Sequence, residues 1–244
     1  MKKFLFLIVL NFLVCGLVQA QNQIKPFKLL IVQPDTMLVH PTLAKDIDSI
    51  RAEYIRTYQA SIREMEATLL TLKDSTNADE RDLKAIILTE LAKSKKGGLA
   101  AWRVANLIAE YSEGVYSFQF NEEEPYSTFQ IIPPFTIDKA SIMQLATKEK
   151  ANYVLYFSNI RTYYKEGVPA MFMTSNLYSV SEKGLILQED RESDALNKGD
   201  MFACNEKYPL KCLLLNSVKL SVEAVLPAIA KRQLKKKAGD EQGQ

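Results

Sequence analysis

Apolar positions along the chain change their spacing at sharp boundaries, and each spacing predicts an element. Residues 27–32 (FKLLIV) are almost continuously apolar and stop at Gln33-Pro34-Asp35. Such a run predicts a short strand buried on both faces, as in a sheet covered by helices. From residue 43 to 72 the period becomes helical: Leu43, Ile47, Ile50, Tyr54, Tyr58, Ile62, Met65, Leu69 and Leu72 recur three or four apart, with no glycine or proline between them. The pattern predicts one amphipathic helix of about 45 Å at about 1.5 Å per residue, longer than a small domain is wide. It must protrude or lie along a second helix.

A partner follows at once. Asp74-Ser75-Thr76-Asn77 breaks the pattern, and Asp79-Glu80-Arg81-Asp82 opens a second helix carrying Leu83, Ile86, Ile87 and Leu91. Acidic residues in a first turn favour the positive end of the helix dipole. Lysines and glycines at Lys95-Lys96-Gly97-Gly98 end it, as expected at a helix C-terminus. Residues 42–96 therefore read as an inserted helical hairpin. The second helix spans about half the length of the first, so part of the stripe at Ile47, Ile50, Tyr54 and Tyr58 must meet another surface. These four are candidate interaction residues.

A third helix is predicted over 99–112, with Trp102, Ala105, Ile108 and Tyr111 on its apolar positions. Residues 127–132 read as a strand closed by Pro133-Pro134, and Asp138 as the cap of a helix bearing Ile142, Leu145 and Ala146. Residues 152–164 form a strand whose first half is apolar on both faces. Runs at 170–180 and 185–192 alternate, separated by turns at Glu166-Gly167 and Glu182-Lys183-Gly184, which predicts an antiparallel meander. A closing helix is expected over 213–234, with Pro227 inside it as a kink or local opening.

The first twenty residues change the picture from fold to compartment. Lys2 and Lys3 precede an apolar run, and Val18-Gln19-Ala20 suits a signal peptidase. The expectation is a secretory signal peptide over 1–20, too short for a comfortable membrane span at about 20 residues. Val14 fits poorly before a lipidated Cys15. Against 29 Asp+Glu the chain has 31 Lys+Arg; removing Lys2 and Lys3 leaves 29 against 29. A neutral exported chain has no electrostatic footprint for nucleic acid. With Cys15 removed, Cys204 and Cys212 remain, and an even pair in an oxidising compartment reads as a disulfide. A zinc pair would need about four ligands, and no histidine is near.

The stretch 131–160 (IIPPFTIDKASIMQLATKEKANYVLYFSNI) resembles the segment of the curli-secretion lipoprotein family, and of the amino-terminal domain of the TolB translocation protein, in which a short helix leads into a lone apolar strand. The likeness covers residues 27–34 and 99–232 as an order of elements. It implies a periplasmic α/β fold and carries no catalytic or ligand motif. The hairpin has no counterpart in it, and the lipidated cysteine of the curli proteins is missing.

Catalytic signatures are sparse. His40 is the single histidine, which excludes HExxH and multi-histidine centres; beside Pro41 it reads as a loop residue at a helix entrance rather than a general base. No GxGxxG, GxxxxGK[ST] or GxSxG occurs. Carboxylates at Glu122, Glu123 and Glu124, or alternating at Asp190, Glu192 and Asp194, could bind a cation or act as an acid–base pair; solvated loops and a polar strand end explain them as well. Among the tyrosines, Tyr163 and Tyr164 beside a turn are further candidates for an exposed contact surface, whereas Tyr153, Tyr156 and Tyr178 read as core. Lys231, Arg232, Lys235, Lys236 and Lys237 suit a helix C-terminus and could also weakly touch an anionic envelope surface.

The sequence thus predicts an α/β chain with a mixed sheet of about five strands covered by helices and an inserted long helical hairpin. Its parts are a signal peptide over 1–20, an α/β domain over 21–41 and 97–234, the hairpin over 42–96 and a polar tail over 235–244. The functional expectation is an exported, non-enzymatic binding or assembly module needing no cofactor, whose partner is another envelope protein or a further copy of itself. The competing expectation is an exported hydrolase using paired carboxylates.

Overall fold

The computed structural model describes residues 25–72, 77–97, 102–120, 126–194 and 207–241. The expected signal peptide, Glu122, Glu123, Glu124 and Cys204 lie outside these residues. The chain divides into two compact units, one of Met1–His40 with Leu107–Gln244 and the other of Pro41–Asn106.

The first unit is built on a five-stranded mixed sheet. Its strands are β1 (Lys28–Val32), β2 (Thr128–Ile132), β3 (Tyr153–Lys165), β4 (Val168–Ser179) and β5 (Gly184–Asp194), in the order β2-β1-β3-β4-β5. β1 pairs in parallel with β2 and β3, and β3, β4 and β5 form an antiparallel meander. Leu29, Leu30 and Ile31 of β1 are fully buried, the outcome expected of a continuously apolar strand covered on both faces.

Of the helices in the two units, α1 is Pro41–Ala44, α2 Ile47–Thr71, α3 Ala78–Gly97, α4 Asn106–Phe120, α5 Lys139–Glu149 and α6 Pro209–Glu241. On one sheet face, α5 places Ile142 and Ala146 in a cluster with Leu30, Val32, Val154 and Tyr178. Asp138 caps α5, accepting from the Ser141 backbone N–H at 2.9 Å and the Ser141 hydroxyl at 2.7 Å. These bonds hold its carboxyl below the usual range. Lys150 closes α5 in the left-handed region, with φ 53°, a common helix ending.

α6 packs on the opposite face of β4 and β5. Its contact is lined by small polar side chains: the Ser193 hydroxyl lies 2.6 Å from that of Ser217, and the Asn216 amide donates to the Asp194 carbonyl at 2.9 Å. Pro209–Leu234 is long and apolar enough to cross a membrane by length and composition, and 56% of its apolar window is buried within the chain. The helix thus supplies one layer of the core. Pro227 lies inside it.

In the second unit α2 and α3 pair as a hairpin. The expected single helix from residue 43 is two: α1 ends at Ala44, and α2 starts after Asp46, which makes no side-chain cap. Leu43 and Ile47 keep the four-residue spacing across the break, so periodicity cannot register it. The expected helix over 99–112 is also displaced. Trp102, Val104 and Ala105 are buried but precede the helix, which runs over Asn106–Phe120.

Candidate interaction surface

Two surfaces collect the residues that the sequence singles out: the hairpin, and the part of the sheet beyond α5. On α2, Ile50 is buried, while Ile47, Tyr54 and Tyr58 are half-buried. Tyr54 and Tyr58, one turn apart, stack at 6.3 Å with 14° between their planes, and Tyr54 lies 5.6 Å from the Trp102 ring. Tyr54 and Tyr58 are thus engaged in aromatic packing within their own unit. The hairpin's open apolar side chains lie elsewhere, with Leu70 near the end of α2 at 74% exposure and Leu83, Ile86 and Leu88 on α3 at 44%, 60% and 49%. Helical spacing marked Leu83 and Ile86 as apolar positions but not as exposed ones. Apolar residues at 83, 86, 87, 88 and 91 wrap more than half the helix, and sequence alone does not say which of them face α2.

The sheet surface is polar and its side chains are already engaged. A bulge between Ser158 and Arg161 puts Asn159 at φ 53°, a conformation that asparagine tolerates better than most residues. After the bulge, Arg161, Tyr163 and Lys165 join Thr174 and Phe172 of β4 and Asp190 and Glu192 of β5 on one face. The Arg161 guanidinium sits 4.4 Å from the Phe172 ring centroid, a cation–π contact. Asn159 donates to the Thr174 hydroxyl at 3.2 Å, which donates to Asp190 at 2.6 Å.

Glu192 accepts from both the Tyr163 hydroxyl and the Lys165 ammonium, the latter at 2.6 Å. Lys165 first, then Tyr163, holds the Glu192 carboxyl below its ordinary value. Glu192 in turn raises the Lys165 ammonium. Burial, then the bond to Glu192 and its charge, pushes the Tyr163 phenol up to about 12. A carboxylate held ionised in this way is a poor general acid.

Asp190, Glu192 and Asp194 are all exposed on β5, and neither of two clefts in this unit is lined by them. One, of about 650 Å³, lies between β2, the Pro133-Pro134 turn and α5; the other, of about 510 Å³, lies between α4 and α6. Tyr164 is exposed, and its ring lies 5.0 Å from that of His40. The His40 backbone N–H donates to the Thr162 hydroxyl at 2.8 Å, so His40 anchors the loop after β1 alongside β3. Among the described residues no group of three or more His, Cys, Asp or Glu side chains could hold a metal ion. Cys212 is buried in the first turns of α6.

No family model and no curated protein matches the chain. The resemblance to the curli-secretion and TolB families therefore rests on element order alone. Among solved structures, the hypothetical protein CT253 from Chlamydia trachomatis is 12% identical, over 54% of this chain and 90% of that one, with a TM-score of 0.36. A PelC dodecamer from Paraburkholderia phytofirmans is 10% identical over 82% and 88%, with a TM-score of 0.35. The LpoB C-terminal domain from Salmonella enterica is 13% identical over 74% and 91%, with a TM-score of 0.22. The likenesses are slight, and no functional inference rests on them.

Proposed function

We propose that this chain is an exported cell-envelope protein that works as a non-enzymatic binding or assembly module, with the α/β unit as scaffold and the hairpin as contact element. The observation that carries this reading is the exposure of Leu70, Leu83, Ile86 and Leu88 on the two hairpin helices. A solitary exposed leucine is ordinary; several on one pair of helices mark a contact surface. Burying each such side chain contributes about 1.5–3 kcal/mol before the costs of association. The partner is another envelope protein or a further copy of the chain. Export is supported by Lys2 and Lys3 ahead of an apolar run, and the pair Cys204 and Cys212 suits a disulfide in that compartment.

Replacing residues 43–96 with a short Gly/Ser linker tests the reading. The expected product is exported and folded by circular dichroism, and loses the proteins that the intact chain captures from envelope extract. A folded deletion variant that still captures every one of them contradicts it.

A further inference from the structure

Hydrogen bonds gather several separate segments at one end of the α/β unit. The Asn152 side chain accepts from the Lys28 backbone N–H at 2.7 Å, and the Asn152 carbonyl accepts from the Val180 N–H at 3.0 Å. The Gln233 side chain accepts from the Lys25 N–H at 2.6 Å and donates to the Lys25 carbonyl at 3.0 Å. Arg232 pairs with Glu182 at 3.3 Å, and the Lys28 ammonium donates to the Glu149 carbonyl at 2.8 Å. The starts of β1 and β3, the β4–β5 turn, the end of α5 and the distal part of α6 therefore adjoin one another.

This end carries cations that nothing neutralises. Glu149 and Glu182 are already matched to Lys28 and Arg232. Lys25, Lys148, Lys150, Lys183 and Lys231 are exposed, and among the described residues no carboxylate pairs with them. Helix dipoles explain only part of the set. Lys148 and Lys150 end α5, where cations are favoured, but Lys25 and Lys183 lie on no helix and Lys231 stands ahead of the last turn of α6. Because the chain beyond its first twenty residues is balanced in charge, the patch reflects segregation of charge rather than an overall excess.

Two further observations favour a membrane surface over a dissolved polyanion. Leu185, close to Lys183, and Leu234, beside Gln233, are 44% and 45% exposed. Leucines set among lysines suit the boundary between headgroups and acyl chains. The chain also enters the unit at this end, for Lys25 is clamped by Gln233 a few residues after Ala20, where the expected signal peptide stops. At about 3.3–3.6 Å per residue those few residues reach less than about 20 Å. A signal peptide engaged in a bilayer brings this end of the unit against the headgroups.

We propose that the end of the α/β unit bearing Lys25, Lys148, Lys150, Lys183 and Lys231 docks on a membrane through phosphate-bearing anionic lipid headgroups. The contact uses no residue of the hairpin, and it rests on the export reading only for the compartment in which the bilayer is met.

Flotation of the exported chain, its signal peptide removed, with vesicles of phosphatidylcholine and phosphatidylglycerol tests this against vesicles of phosphatidylcholine alone. Binding is expected to the anionic vesicles at low salt, to vanish in molar salt, and to be absent from the neutral ones. Lys25→Gln, Lys148→Gln and Lys231→Gln are each expected to weaken binding about fivefold, and together about a hundredfold. Lys150 and Lys183, at φ 53° and 51°, are left unchanged so that no left-handed position is disturbed. Lys139→Gln with Lys207→Gln, exposed at the opposite ends of α5 and α6, is expected to change binding less than about twofold. Circular dichroism melts establish that each variant is folded.

No binding to anionic vesicles at low salt, equal binding to neutral vesicles, or a far-end pair that weakens binding as much as the triple variant would overturn the proposal. Binding to soluble polyglutamate without binding to vesicles would overturn it too. The vesicles contain no protein, so each of these results leaves the hairpin reading and export to be judged by envelope capture and by cell fractionation.

Discussion

The Tyr116 hydroxyl lies 3.1 Å from the Ser221 hydroxyl in a buried hydrogen bond that joins α4 to α6. Both helices also wall the apolar cleft, so this bond helps fix the cleft's width. Burial raises the Tyr116 phenol well above its ordinary value, against a smaller opposing effect of the Ser221 bond. Tyr116→Phe removes the bond while keeping the ring, and is expected to cost about 1 kcal/mol in urea denaturation. The sign with pH follows from the raised value. The unfolded chain's tyrosine ionises near pH 10 while the folded one stays neutral, so this group's contribution is intact below about pH 10 and declines above it. The variant should show a shallower alkaline loss of stability than the wild type; equal slopes would contradict the assignment.

Glu192 offers a second titration. Its carboxyl is held down chiefly by Lys165, so Lys165→Met should raise its apparent pKa in a carbon-detected NMR titration. Because the folded value is depressed, whatever stability Glu192 supplies is present above the ordinary carboxylate range and is lost as pH falls through the folded value. An unchanged Glu192 titration in Lys165→Met would show that the ion pair is not formed in solution.

We expect Cys204 and Cys212 to be bridged in protein recovered from the exported compartment. By the chain-entropy model so short a loop contributes about 2–3 kcal/mol. Reduction should therefore lower the melting temperature without unfolding the chain. Alkylation mass spectrometry under non-reducing conditions reads the bridge directly, and two free thiols would refute it.

Strands were legible in the sequence wherever burial and turn chemistry agreed. The run 27–32 before Pro34, and the alternating runs around Gly167 and Gly184, became β1 and the meander of β3, β4 and β5. The bulge at Asn159 was not legible, because it carries no glycine or proline; an asparagine inside a strand was the one available hint. Trp102 and Ala105 kept helical spacing yet are buried ahead of α4 by packing, which the spacing cannot distinguish from a helix face. Helix α4 runs on through Gly114 to Phe120, beyond the expected end at residue 112; a glycine inside a helix costs only about 1 kcal/mol relative to alanine. For the hairpin, the pattern on α2 pointed to Ile47, Ile50, Tyr54 and Tyr58. Ile50 is buried and the others half-covered, leaving the exposed apolar side chains chiefly on α3. Amphipathicity identifies an apolar face, but exposure depends on what lies against it.

The most direct test of the hairpin as a contact element is site-specific photo-crosslinking in intact cells. A benzophenone side chain is placed at Ile86, with Lys183 in the exposed β4–β5 turn as the control position. Discrete adducts of higher mass at position 86, absent at 183, are the expected result. An uncrosslinked chain at position 86, or adducts indistinguishable from those at 183, would contradict the account.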